Sequence, residues 1–398
     1  MDTKNGAANV AAMRKLVDRY VAEGKVANLV VAIGTAERPP DYICAGTLDL
    51  DGGPEAGPDT LYRIYSMTKL ITGCAIMMLV EDGKLTLDTP LSEIFPQFAQ
   101  MEVLADPENG TATRPAERPI LIRHLLTHSA GFFYSSNAPA AAKSLYVEGG
   151  GETARASLEV EARRPSDLPS FAEAVARLPL LYEPGTSWYY SIALDVAGAV
   201  VEKVSEIPFE RFLELRLFSP LGMSDTSFTV PGAKLDRLCS NYQIVPEGLE
   251  LVETGAGSDW ARPPRIPAGG SGLVSTARDF SNFMRMLLRE GDLDGVRVLR
   301  LETARLMMSD MMAPGVMAAA PTDHTGYGAG GSVVTEPIPG GQAKGSFGWT
   351  GAAGTLATVD RETGFYAVLM TQVMGWHPNP LHAEFTRTLY AELPGRSE

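Results

Sequence analysis

The chain has 398 residues, 45% of them apolar and 21% charged, which is enough to bury a large core and argues against a disordered protein. A formal charge of -14, with the acidic residues scattered rather than run together, disfavours nucleic acid or an anionic membrane as partner and leaves a small molecule. Three widely spaced cysteines, Cys44, Cys74 and Cys239, argue against a disulfide framework or a zinc site, and their apolar surroundings predict buried thiols.

In chain order, the first segment lacks an uninterrupted apolar run behind a basic start. Its Val10, Met13, Leu16, Val17 and Tyr20 recur at the spacing of an amphipathic helix. No apolar run approaches the length that spans a bilayer, so the expected compartment is the cytoplasm. NLVVAIGTA (28–36) and DYICAGTLDL (41–50) are β-rich runs joined across Pro39 and Pro40, which predicts a hairpin in an antiparallel sheet. A helix begins in RIYSMTKLITG (63–73) and runs to about Asp82, where Gly83 supplies a stop. Helical patterns recur near 120–128, 168–178, 191–205 and 208–216. Long loops separate them; 148–170 is the best candidate for a mobile insertion, and 132–170 and 240–268 are the loops expected to set substrate range.

Strand signals return in GYGAGGSVV, KGSFGW, GTLATVD and GFYAVLMTQV, before a last helix from about Leu381 to Glu392. Strands at both ends with helices between predict an α/β fold of the α+β type. Its antiparallel sheet is flanked by helices and closed by N- and C-terminal segments (1–88 and 266–398), with an inserted, mainly helical domain (89–265). The cleft between the two is the expected place for a small-molecule site.

Ser66 and Lys69 stand three positions apart, so on a helix the hydroxyl and the ammonium share a face. A serine hydroxyl is a poor nucleophile near neutral pH without a base, and a lysine of lowered pKa supplies or assists one. Free N–H groups at a helix start also suit a developing oxyanion. The same two residues read equally as a helix cap and a solvated first-turn lysine. In PGTSWYYSIALDVAG (184–198), Tyr190 follows a Pro-Gly turn and precedes an amphipathic helix, where its phenol can enter a cleft. Beside an ammonium it becomes a candidate proton acceptor; Tyr189 and Tyr190 also read as packing aromatics. In FGWTGAAGTLATVD (347–360) glycines bracket Trp349 on a strand, marking either a ligand's close approach or a tight bend.

SMTK, the Tyr-Ser of WYYSIALD and the Trp-Thr-Gly of GWTGAAG follow the order and rough separations of the three motifs in serine β-lactamase-like hydrolases. LLTHSAG (125–131), PLGMSDTSF (220–228) and GGSGLVSTARDFSNFM (269–284) add to the likeness. The chain resembles family VIII carboxylesterases, which are similar to class C β-lactamases, over about residues 10 to 392. The resemblance implies that Ser66 is the acylated nucleophile, Lys69 its activating partner and Tyr190 the base that returns the proton to the leaving group. Backbone N–H groups of Ser66 and Ala352 would form the oxyanion hole, and whether Lys69 or Tyr190 is the base stays open. No cofactor and no metal are expected.

Two departures from the lactamase pattern bear on substrate. Trp349 stands where lactamases carry a cationic third motif, and Ile192 where they carry an asparagine. Both exchange a polar contact for an apolar one, favouring a neutral ester over an anionic lactam or peptide. Trp349, Thr350, Gly351, Ile192 and, after the Gly131 turn, Phe133 and Tyr134 are the expected substrate contacts. The expected function is cleavage of carboxylic esters, of small or short-chain acyl groups, with a small-molecule ester, and neither nucleic acid nor a membrane, as partner. The same site also fits a β-lactamase, a D-amino-acid peptidase or amidase, or an acyltransferase, and the scaffold a catalytically silent binding protein.

Other motifs are decoys. GYGAGG (326–331) satisfies G-x-G-x-x-G, but a strand pattern and no helix follows, so it reads as a Gly-rich strand and not as a dinucleotide site. No G-x-S-x-G occurs, which argues against an α/β-hydrolase elbow. The five histidines lack metal-ligand spacing, and His128 is expected to satisfy a local hydrogen bond.

Overall fold

The computed structural model describes residues 3–149, 165–316, 324–376 and 380–391, so most of the candidate mobile insertion at 148–170 lies outside the described residues. The principal helices are α1 (Thr3–Ala22), α2 (Thr68–Glu81), α3 (Ala193–Ser205), α4 (Ala277–Leu288) and α5 (Pro380–Tyr390). The strands of the main sheet are β1 (Asn28–Thr35), β2 (Asp41–Asp49), β3 (Gly52–Glu55), β4 (Thr325–Tyr327), β5 (Ser332–Val334), β6 (Phe347–Thr350), β7 (Leu356–Asp360) and β8 (Phe365–Met370). They pair in the order β4-β5-β6-β7-β8-β1-β2-β3, antiparallel throughout. The two ends of the chain meet where β1 lies beside β8, Val30 opposite Met370.

Side chains alternate across a pleated strand, and the sheet uses both faces. Leu29, Val31, Phe365, Ala367 and Leu369 pack under α1 and α5, with Met13, Leu16, Val17 and Tyr20 of α1 filling that layer. Val30, Ala32, Tyr366, Val368 and Met370 face the larger core, which runs without a break through α2, α3 and α4. Every residue of α2 from Thr68 to Leu79 is buried, as a helix apolar on all sides requires. It stops where expected: Gly83 takes φ 69°, and the N–H of Lys84 donates to Leu79 O at 3.0 Å.

Four expectations change. Only Gly326 and Tyr327 of GYGAGG lie in β4; the other four residues turn into β5 and lie against α2, where a Cβ on Gly330 would come 2.2 Å from Lys69 O. The 208–216 pattern gives a helix only over Phe209–Leu213, continued by a π-type turn at Glu214–Phe218. The 240–268 stretch contains a hairpin, Asn241–Val245 with Gly248–Glu253, whose first strand also pairs in parallel with Val373–Met374. Cys74 and Cys239 are buried free thiols, whereas Cys44 is half-buried on β2, a strand of which only Ile43 and Leu48 are buried. No helix among the described residues is long and apolar enough to cross a membrane.

Candidate active site

Tyr65–Met67 forms one 3-10 turn that runs directly into α2, so Ser66 precedes the α-helix. Such a turn eclipses positions i and i+3, and Lys69 Nζ donates to Ser66 Oγ at 3.2 Å. Ser66 is half-buried and accessible, while Lys69 is fully buried beneath it. The alternative of a capping serine and a solvated lysine is thereby excluded, since α2 has no side-chain cap. Tyr65 holds φ 43°, a left-handed backbone that costs a bulky residue about 1–3 kcal/mol. Contacts on its far side hold it there: Asn241 Nδ2 donates to its hydroxyl at 3.1 Å, and Trp260 packs edge-on at 6.0 Å.

A buried ammonium needs its three donors satisfied. Besides Ser66, Lys69 Nζ donates to Gly270 O at 2.7 Å and to the Tyr134 hydroxyl at 3.1 Å. The 269–273 segment is gripped by α2 at two further points: Thr72 Oγ1 donates to Gly269 O at 2.6 Å, and Leu273 N donates to Thr68 Oγ1 at 3.2 Å. Sequence reasoning missed Gly270, because it acts through its carbonyl. The only signal was the GGSG run itself, where a small residue marks close backbone approach.

Tyr190 is set by the THSAG segment. Tyr189 N donates to His128 O at 2.9 Å, and Ser191 N donates to His128 Nδ1 at 3.2 Å, which puts the imidazole proton on Nε2. The His128 bond therefore spans 63 residues instead of being local. Burial, reinforced by the Lys69 charge, holds its pKa well below the ordinary histidine range, so the ring is neutral. Asn137 Nδ2 donates to Tyr190 O at 2.9 Å. The Tyr190 hydroxyl accepts from Trp349 Nε1 at 3.2 Å, and Lys69 Nζ lies over the Tyr190 ring, 4.6 Å from its centroid. Lys69 thus meets Tyr190 through its π face and Tyr134 through its hydroxyl.

The end of β6 is pressed against the turn that carries Ser66. A Cβ on Gly351 would lie 2.5 Å from Ile64 O, and Thr355 Oγ1 donates to Ile64 O at 3.4 Å. Ala352 follows, exposed, and its N–H has no partner among the described residues. Ser66, Tyr134, Tyr190, Trp349 and Thr350 are all part-exposed, whereas Phe133 and Ile192 are 0% exposed in the main core. Ile192 sits at the first turn of α3 with its side chain turned inward, so neither it nor Phe133 offers a surface to a ligand. The aromatic wall is instead Trp349 with Tyr190 (5.6 Å between rings) and Tyr134 (5.5 Å from Tyr190).

The family model described as Beta-lactamase matches residues 13–391. Protein Rv1367c of Mycobacterium tuberculosis (strain ATCC 25618 / H37Rv) is 34% identical over 365 residues, covering 88% of this chain and 86% of that protein. Lovastatin esterase of Penicillium rubens is 33% identical over 359 residues, covering 85% and 86%. The solved structure of EstCE1, a hydrolase with promiscuous acyltransferase activity, superposes with a TM-score of 0.80 at 25% identity, covering 96% of this chain and 99% of that one. The match from residue 13 to 391 takes in the whole sheet and the Ser66–Lys69 turn: the chain belongs to the beta-lactamase family, as an enzyme of the serine-hydrolase type on that fold.

Proposed function

We propose that the protein is a serine carboxylesterase that cleaves small, neutral carboxylic esters through an acyl-enzyme on Ser66. The observation that carries this reading is an accessible Ser66 hydroxyl, bonded to a fully buried Lys69, beside an aromatic wall with Trp349 at the strand position. In acylation, Ser66 Oγ attacks the ester carbonyl carbon and its proton passes to the Lys69–Tyr190 unit. The carbonyl oxygen, now an oxyanion, takes up the N–H groups of Ser66 and Ala352. Collapse expels the alkoxide, which leaves as the alcohol with that proton; water then repeats the sequence on the acyl-enzyme, releasing the acid and restoring Ser66. The wall around Trp349 favours an uncharged acyl group, and the relation to an enzyme named as an esterase supports the same choice.

The test is a series of p-nitrophenyl esters of graded acyl length, run beside a chromogenic cephalosporin and an amide, with covalent labelling by a fluorophosphonate. Ester turnover and labelling are expected together, and Ser66→Ala should abolish both. Cephalosporin turnover matching the esters, or undiminished hydrolysis in Ser66→Ala, would overturn the reading.

A further inference from the structure

Resting on the reading of Ser66 and Lys69 as nucleophile and activating partner, we propose that Asp195 is a positioning residue for that pair, acting through the backbone of Gly270. Lys69 is a long, flexible side chain, and its shortest bond is the one to Gly270 O, at 2.7 Å. The N–H of the same residue donates to Asp195 Oδ1 at 2.8 Å. Both peptide groups flanking the Gly270 Cα are therefore tied, one to the carboxylate and one to the ammonium. The fit admits no side chain: a Cβ there would lie 2.5 Å from Asp195 Oδ2 and 3.0 Å from the Tyr134 hydroxyl.

Asp195 is 0% exposed on the first turn of α3, between the buried Leu194 and Val196. A carboxylate is costly to bury, so one held here against the Gly270 N–H marks a polar task. Its place near the helix N-terminus lowers that cost. Because Tyr190 lies in the segment that leads into α3, five residues before Asp195, the start of this helix sets both the tyrosine and the carboxylate that acts on Lys69 through Gly270. The groups facing Lys69 are Ser66 from its own turn, Tyr134, Tyr190, the neutral His128 and, across Gly270, Asp195.

The test compares Asp195→Ala and Asp195→Asn, each shown to be folded by its thermal melt. Asp195→Ala should lower kcat on p-nitrophenyl acetate about a hundredfold with KM little changed, the usual cost of a misplaced catalytic group. Asp195→Asn keeps an oxygen for the Gly270 N–H and should recover kcat to within about tenfold of the parent. Fluorophosphonate labelling of Ser66 should rank the variants the same way whatever the natural substrate. That ranking without ester turnover would sink the esterase reading and leave Asp195 standing. An Asp195→Ala enzyme within about threefold of the parent overturns the proposal. So does an Asp195→Asn enzyme as impaired as Asp195→Ala, or a crystal structure of Asp195→Ala with Gly270 O still on Lys69 Nζ.

Discussion

Replacing Tyr190 and Tyr134 singly by phenylalanine separates two roles that lie only 5.5 Å apart, ring to ring. The Tyr134 hydroxyl is one of three acceptors of the Lys69 ammonium, at 3.1 Å, and the other two, Ser66 Oγ and Gly270 O, survive its loss. A hydrogen bond to a charged group is worth about 1.5–3 kcal/mol, but this one exists before and during the reaction, so most of it cancels between ground and transition state. Tyr134→Phe should therefore lower kcat no more than about tenfold, or 1.4 kcal/mol. Tyr190 acts differently if it accepts the serine proton: its hydroxyl is then the reacting atom, and Tyr190→Phe should cost about a hundredfold or more. The loss also strands the Trp349 N–H, which now donates to that oxygen at 3.2 Å. The assay is the steady-state rate on a short-chain p-nitrophenyl ester across pH, with the acylation burst measured separately. If Tyr134→Phe proves the more damaging, the proton route runs through the hydroxyl that touches Lys69, and Tyr190 is reduced to a ring that shelters the ammonium.

Three other perturbations follow from the geometry. Trp349→Lys places an ammonium on the wall and removes the donor to Tyr190; ester kcat/KM should fall, while binding of an anionic cephalosporin, read as Ki, should tighten by about fivefold, the size of a partly screened charge pair. Glu253→Ala leaves the fully buried Arg63 without its carboxylate, now at 2.7 Å, and should cost about 3 kcal/mol in urea unfolding. Burial pushes the Asp279 carboxyl up to about 6, against an unfolded value near 4. Between those values the folded state holds the extra proton, so the stability Asp279 contributes is present below about pH 4 and lost as pH rises through about 6. Asp279→Asn, which keeps an acceptor for Asp225 N and the Thr226 hydroxyl, should raise stability at pH 7.5 by roughly 2 kcal/mol and by far less at pH 4.5, measured by urea titration at both.

The parts of this fold that a reader of the sequence can place are those whose signal is local. The Val10 to Tyr20 spacing, the β-rich runs of β1 and β2, and Gly83 at the end of α2 each depend on neighbours within a few residues. The Ser66–Lys69 contact belongs to the same class, since a three-residue offset dictates it. Contacts between distant segments left no such trace. Gly270 under Lys69, Ser191 on His128 and the inward turn of Ile192 depend on how loops cross, and no periodicity reports that. The 241–253 hairpin was nearer to legible: the Pro246-Glu247-Gly248 turn between apolar runs is a hairpin signal, hidden because the strands are short and only half-buried.

The grip of α2 on the 269–273 segment also says when activity arises during folding. Lys69 and Gly270 are 201 residues apart in the chain, Thr68 and Leu273 are 205, and Tyr190 and Trp349 are 159. Closing loops of that length is slow, and a chain that ends before residue 270 cannot form the Lys69–Gly270 bond. Refolding enzyme should regain its helices first and its activity last, in one step with the docking of the 269–273 segment and the C-terminal strands. A nascent chain that already displays Ser66 would remain inert until its final third has been made, so the nucleophile is silent for as long as the rest of the protein is missing.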